Sequence, residues 1–271
     1  MHGCSLRLPY KIKAALLTYL RSHVSNFPVH VNRLHVYQFS HGQSNPTYCI
    51  KTGPATYVVR KKPPGAVLPS AHAVEREYRV LRALKDSPVP VAPALALCED
   101  PAVLGTAFYV MAHVPGRVWV DPAMPGASAA ERKAAYGALG ETLAALHSVD
   151  VSAIGLASFG RPDAYNSRQV RRWSAQYAAD LAGPGAALPE MEALRRWLQS
   201  RAPELDARSD GRPCLVHGDF RLDNLVLDPC DYARVRAVLD WELSTLGDPW
   251  SDVAYCCLAY HLPEQAALKV L

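Results

Sequence analysis

Leu215-Val216-His217-Gly218-Asp219-Phe220-Arg221-Leu222-Asp223-Asn224-Leu225-Val226-Leu227 is the stretch around which this chain is organised. Its apolar ends have strand character, and between them stand a His-Gly-Asp turn and, five positions after the Asp, an Asn. The pattern predicts a loop of polar groups held between two strands over 215–227. Sixteen residues after Asn224 a further strand, 235–239, ends on Asp240-Trp241-Glu242. Carboxylate and amide oxygens are thus delivered to strand ends, where a reaction centre has access to them.

Phosphoryl transfer needs this set of groups. A divalent cation neutralises charge on the nucleotide phosphates, oxygen donors hold that cation, and one carboxylate orients or deprotonates the attacking hydroxyl. The kinase catalytic loop has the form H-R-D-x-x-x-x-N, followed by a separate metal-binding Asp. Here His217-Gly218-Asp219 stands for its first part, Asn224 keeps the spacing, and Asp240-Trp241-Glu242 replaces Asp-Phe-Gly. Asp219 is the expected catalytic carboxylate. Asn224 and Asp240, with 238–243 as the metal loop, are the expected Mg²⁺ ligands.

These motifs, with Leu239 to Pro249 (Leu-Asp-Trp-Glu-Leu-Ser-Thr-Leu-Gly-Asp-Pro), resemble the aminoglycoside phosphotransferase and choline kinase group, the small-molecule branch of the protein-kinase-like fold. Within it they look like the phosphotransferase domain that vertebrates carry fused to an acyl-CoA dehydrogenase. The resemblance covers roughly residues 10 to 262. It implies an α+β, protein-kinase-like two-lobed fold: an N-lobe over 1–114, with an antiparallel sheet and helix C, and a mainly helical C-lobe over 115–271 that is truncated at its C-terminus. It implies ATP and Mg²⁺ as cofactors and a small-molecule hydroxyl as acceptor, on a hydroxyacyl-CoA or hydroxy acid feeding fatty-acid-type oxidation. A dehydrogenase domain in a longer form of the protein is the implied partner, and a mitochondrion or peroxisome the implied compartment, with the cytoplasm as the alternative. A chain lacking later helices also admits an inactive nucleotide-binding fragment or regulatory isoform.

Composition agrees with a folded enzyme. The 271 residues are 49% apolar and 20% charged, enough for a substantial core. The net charge of +4 is uneven: residues 1–74 hold nine Lys or Arg and no acid, and the remainder 20 basic against 25 acidic residues. A basic N-terminal part suits a polyanion such as a nucleotide. Nucleic acid is not expected, because Arg60-Lys61-Lys62 is the only tight basic cluster and aromatics do not interleave with it. Seven cysteines without C-x-x-C spacing read as free thiols in a reducing compartment. No apolar stretch approaches the ~20 residues of a membrane span.

Along the chain, Ile12, Leu16, Leu17 and Leu20 share one helical face among Arg7, Lys11, Lys13 and Arg21. This fits a transit peptide or an amphipathic first helix packed on the N-lobe. Strands are expected over 34–40, 47–52 and 56–61. The turn between the first two, Ser40-His41-Gly42-Gln43-Ser44-Asn45-Pro46, sits where kinases cover the phosphates, making Gly42, Ser44 and Asn45 candidate nucleotide contacts. Arg60 ends the third strand at the place of the phosphate-binding Lys, and it can grip phosphate or carboxylate bidentately. A helix over 71–85 carries Glu75 and Glu77, and the resemblance makes Glu77 the partner of Arg60. Phe108 to Gly116 holds the hinge position, with Met111 and His113 at the adenine edge.

Ser128-Ala129-Ala130-Glu131 is a capping box opening a helix to about His147, which reads as its packed end. Helices around 170–181 and from Pro189 follow. Val170, Trp173, Tyr177 and Leu181 mark the first of these and Met191, Leu194 and Leu198 the second, and the aromatic positions are expected in the core. Arg221, two after Asp219, is placed to stabilise charge on the transferring phosphoryl group. Asp223 and Asp248 are expected to hold turns and Asp252 to brace the catalytic loop. A metal hydrolase lacks its further His ligands, and an Ala-Pro-Glu segment, as in protein kinases, is missing.

Overall fold

The computed structural model describes residues 10–39, 45–65, 73–181, 187–208 and 212–261. They fall into two compact units, one of the described residues within 1–145 and 221–243, the other of those within 146–220 and 244–261.

The first unit is built on a five-stranded antiparallel sheet. Its strands are β1 (His35–Gln38), β2 (Thr47–Lys51), β3 (Thr56–Lys61), β4 (Ala94–Cys98) and β5 (Phe108–Ala112), in the order β1-β2-β3-β5-β4. Helix α1 (Tyr10–His23) lays Leu16 and Leu20 onto Ile50, Val59, Phe108 and Val110, so the basic amphipathic segment is a packed first helix. Helix α2 (Val74–Leu84) buries Val74, Glu77, Val80, Leu81 and Leu84, an i, i+3, i+4 stripe in which one member is charged. A short helix α3 (Pro101–Leu104) is capped by the Asp100 carboxylate and leads into β5. The antiparallel register sets Arg60 on β3 opposite Tyr109 on β5.

After β5 the chain passes Gly116, where a Cβ would meet the Leu227 carbonyl at 2.6 Å. Helix α4 (Ala129–His147) opens with the expected capping box: Ser128 N–H donates to Glu131 (2.7 Å), and Glu131 N–H to the Ser128 hydroxyl (3.2 Å).

The second unit contains α5 (Tyr165–Leu181) packed beside α6 (Pro189–Arg208), then β6 (Cys214–Val216). A 3-10 turn, Leu222–Asn224, returns the chain to the first unit, where β7 (Leu225–Leu227) pairs with β8 (Val235–Val238). Strand β9 (Thr245–Gly247) pairs with β6 in the second unit, and α7 (Trp250–Leu258) follows. Asp206, near the end of α6, caps α5 by accepting the Asn166 (2.8 Å) and Ser167 (3.1 Å) backbone N–H groups.

Two expectations need correction or limits. The apolar face of α5 and α6 is not core among the described residues: Trp173 is 57% exposed and Leu194 46%. The 3.6-residue periodicity correctly marks an amphipathic face, but periodicity says nothing of what covers it. Among the described residues the cysteines are free thiols, and no helix is long and apolar enough to cross a membrane. Gly42 and Ser44 lie outside the described residues.

Candidate active site

In the first unit Arg60 is the hub. Burial alone would lower its pKa, but Glu77 first, then Asp240 and further groups, outweigh it and keep the guanidinium firmly charged. Its Nε lies 3.1 Å from Glu77 Oε1 and 3.0 Å from Oε2, while Nη2 donates to Asp240 Oδ1 (2.6 Å) and Glu242 Oε2 (3.1 Å). Glu77 is fully buried and also accepts from the Tyr109 hydroxyl (3.1 Å) and Asn45 Nδ2 (2.9 Å). Burial, then the Asp240 and Glu242 carboxylates, push Glu77 up to about 7 against the pull of Arg60.

The expected Arg60–Glu77 pair is therefore formed. Asn45 joins the same cluster: its side chain is buried there, with Nδ2 also donating to Glu242 (3.1 Å). Asn45 and Tyr109 were not legible as members, because the loop and the strand register place them there. Alternation on β5 is the one signal for Tyr109.

Asp240 and Asn224 are neighbours, since Leu239 N–H donates to the Asn224 carbonyl (2.8 Å). Asp240 adopts φ 63°, a left-handed backbone that few residues other than Gly take. Trp241, in a 3-10 turn over Trp241–Leu243, is 1% exposed and donates from Nε1 to the Val238 carbonyl (3.1 Å), which anchors the turn after Asp240 to the end of β8. Arg221 Nε pairs with Asp223 Oδ1 at 3.1 Å.

Among the described residues no three or more His, Cys, Asp or Glu side chains form a metal cluster; Mg²⁺ commonly takes one or two protein side-chain oxygens together with phosphate oxygens, which is the most this donor set can supply. Asp240 and Asn224 offer hard oxygens, and Arg60 is one cation among three carboxylates, Glu77, Asp240 and Glu242. A divalent cation would balance that excess of negative charge. Met111 is paired with Val58 inside β5; beyond it, Ala112 N–H is taken by the Pro93 carbonyl (2.9 Å) and His113 N–H by the Thr56 carbonyl (3.3 Å).

In the second unit β6 delivers His217, Gly218 and Asp219. Gly218 takes φ 85°, which lets the chain turn sharply before Asp219. Asp252, fully buried on α7, accepts the His217 (2.8 Å) and Gly218 (2.8 Å) backbone N–H groups, the brace expected of it. His147 Nε2 lies 3.0 Å from the same carboxylate, a role that its place at a helix end did not announce. His217 is buried and accepts the Asp219 N–H at Nδ1 (3.2 Å), which holds the loop and spends the ring's acceptor. Asp248 holds its turn through the Trp250 N–H (3.0 Å) and Asn166 Nδ2 (2.9 Å). Each unit carries its share of the expected groups: Arg60, Glu77, Asn224 and Asp240 in the first, Asp219 in the second.

Solved structures similar to this chain have the kinase-like fold. A crystal structure from Ralstonia eutropha, described provisionally as an aminoglycoside phosphotransferase, matches with a TM-score of 0.78 and 44% identity, covering 95% of this chain and 76% of that one. An aminoglycoside phosphotransferase solved with ADP and hygromycin B shares the fold at a TM-score of 0.62 and 16% identity over 96% of this chain and 79% of that one. Acyl-CoA dehydrogenase family member 10 of Mus musculus is 51% identical over 226 residues, 83% of this chain, and member 11 of Homo sapiens 44% over 250 residues, 92% of it. This chain spans only 20% and 31% of those two relatives. With the α+β kinase-like fold in place, and residues 35–270 matching the sequence profile of one family, the chain belongs to the phosphotransferase enzyme family.

Proposed function

We propose that the chain is a small-molecule kinase that transfers the γ-phosphoryl group of ATP, with Mg²⁺, to a hydroxyl group, on a hydroxyacyl-CoA or a hydroxy acid. The observation that carries this reading is the buried Arg60–Glu77 pair joined to Asp240, the kinase pairing of a strand-three cation, a helix-C carboxylate and a metal-loop carboxylate. The substrate class is supported by the acyl-CoA dehydrogenase names of the relatives.

In this reading residues 1–114 form the N-lobe that covers the nucleotide, and 115–271 the C-lobe that carries the catalytic loop (215–227) and the metal loop (238–243). Gly42, Ser44 and Asn45 belong to the loop over the phosphates, Met111 and His113 to the adenine edge, and Arg60 to the phosphate oxygens. Asn224 and Asp240 hold Mg²⁺, which supplies charge neutralisation on the phosphates when bound. Asp219 orients the acceptor hydroxyl and takes its proton as the new O–P bond forms and the β–γ bridging bond breaks, leaving ADP. Arg221 offsets the charge that develops on the transferring group. The compartment in this reading is mitochondrial or peroxisomal, as suits oxidation of fatty-acid-type substrates, and the partner a dehydrogenase domain in a longer form of the protein.

Purified chain with Mg²⁺ and ATP, offered hydroxyacyl-CoA thioesters, free hydroxy acids, choline and aminoglycosides, tests this. Acceptor-dependent ADP release is expected with the thioesters or acids, and Asp219→Ala should lower it by about 10³-fold or more. ATP binding without turnover on any acceptor would instead favour a nucleotide-binding regulatory role.

A further inference from the structure

Arg60 offers one planar fork to three carboxylates. Nε faces Glu77, and Nη2 alone serves both Glu242 (3.1 Å) and Asp240 (2.6 Å), the shortest contact in the cluster. That contact falls on the carboxylate assigned to the metal. Glu242 is itself held, because Asn45 Nδ2 donates to the same oxygen that faces Arg60 (3.1 Å). With Asn45 also on Glu77 (2.9 Å), the amide spans the two flanking carboxylates and keeps the guanidinium aimed at Asp240. The side chain of Arg60 is 9% exposed, so water screens little of this.

A carboxylate oxygen engaged by a guanidinium is one donor fewer for a cation and has a positive charge beside it. Phosphate matches the same fork bidentately and carries more charge than a carboxylate. Resting on the nucleotide reading above, we propose that Arg60, steered by Glu242 and Asn45, competes with the divalent cation for Asp240, and that nucleotide phosphate ends the competition by drawing the guanidinium away. Asn45 and Glu242 are then positioning residues for Arg60. The nucleotide-free protein holds the cation weakly, and nucleotide raises cation affinity beyond the oxygens its own phosphates contribute.

The test is Mn²⁺ binding to the nucleotide-free protein, read from the free-ion EPR signal, beside ADP binding by calorimetry. Arg60→Gln should bind Mn²⁺ about tenfold more tightly than wild type while binding ADP several-fold more weakly. Arg60→Lys keeps the charge but loses the fork that spans Glu77 and Asp240, and should bind Mn²⁺ about threefold more tightly. Asn45→Ala should move Mn²⁺ affinity the same way, whereas a purely structural Asn45 would lower the melting temperature and leave Mn²⁺ binding alone. The Lys and Ala variants retain a cation among the carboxylates and carry the test if Arg60→Gln does not fold. Unchanged or weaker Mn²⁺ binding by Arg60→Lys overturns the competition, since any gain in Arg60→Gln would then be an effect of charge. A wild type that binds neither ADP nor Mn²⁺ with ADP overturns the nucleotide reading itself.

Discussion

Glu77 shows what a single buried charge does here. It accepts from Arg60, Asn45 and Tyr109, yet burial and two nearby carboxylates raise its pKa to about 7 from an ordinary 4.5. The folded state therefore holds a proton between those two values that the unfolded chain has released. The resulting stability is complete below pH 4.5 and is lost as pH rises through 7, an amount of roughly 3 kcal/mol at most. Glu77→Gln has no such titration. In urea denaturation without divalent cations, the stability of wild type relative to Glu77→Gln should fall by up to that amount between pH 4.5 and 8. A flat difference would mean that Arg60 keeps Glu77 ionised throughout. Glu77 and Arg60 were legible in the sequence because the kinase pattern has a place for each. Asn45 was legible only as part of a loop, since its side-chain partners come from positions 32 and 197 residues away.

At the level of elements, the loop that presents Asp219 depends on α7 and the end of α4. Asp252 satisfies the buried His217 N–H and the part-buried Gly218 N–H, and an unsatisfied buried donor costs about 1–3 kcal/mol. Asp252→Ala should thus destabilise the protein by about 3 kcal/mol or more in urea titrations, and lower kcat with little change in the KM for ATP. His147→Ala removes only the third contact and should cost less, with His147→Gln, whose amide extends toward the same carboxylate, recovering part of the loss. Elsewhere Asp206 caps α5 from another helix. Asp206→Ala should cost about 1 kcal/mol and speed amide exchange at Asn166 and Ser167, and Asp206→Asn should cost less. The capping box at Ser128 was readable because both partners lie within one turn. The Asp206 cap was not, because its donors stand 40 and 39 residues away in the chain.

Over the whole molecule, the order and type of most elements followed from strand runs, glycine-marked turns and helical periodicity, whereas the short β4, α3 and β9 were not legible in this way. The cover of α5 and α6 was not legible either, because an apolar stripe specifies a face and leaves its partner open. The chain's tryptophans turn this into a measurement. Of the five, Trp119 and Trp241 are 6% and 1% exposed, whereas Trp173, Trp197 and Trp250 are 57%, 57% and 73% exposed. Native emission should be red-shifted for a folded protein, and acrylamide should quench most of it. Trp173→Phe and Trp197→Phe should each remove a quenchable component and shift the remaining emission to the blue, with little loss of stability, because exposed side chains contribute little packing. Should the native emission be blue and mostly protected, the α5 and α6 face is covered in solution. Dilution distinguishes the two ways of covering it: protection that fades as the protein is diluted means contact between copies, and protection independent of concentration means cover by residues of the same chain.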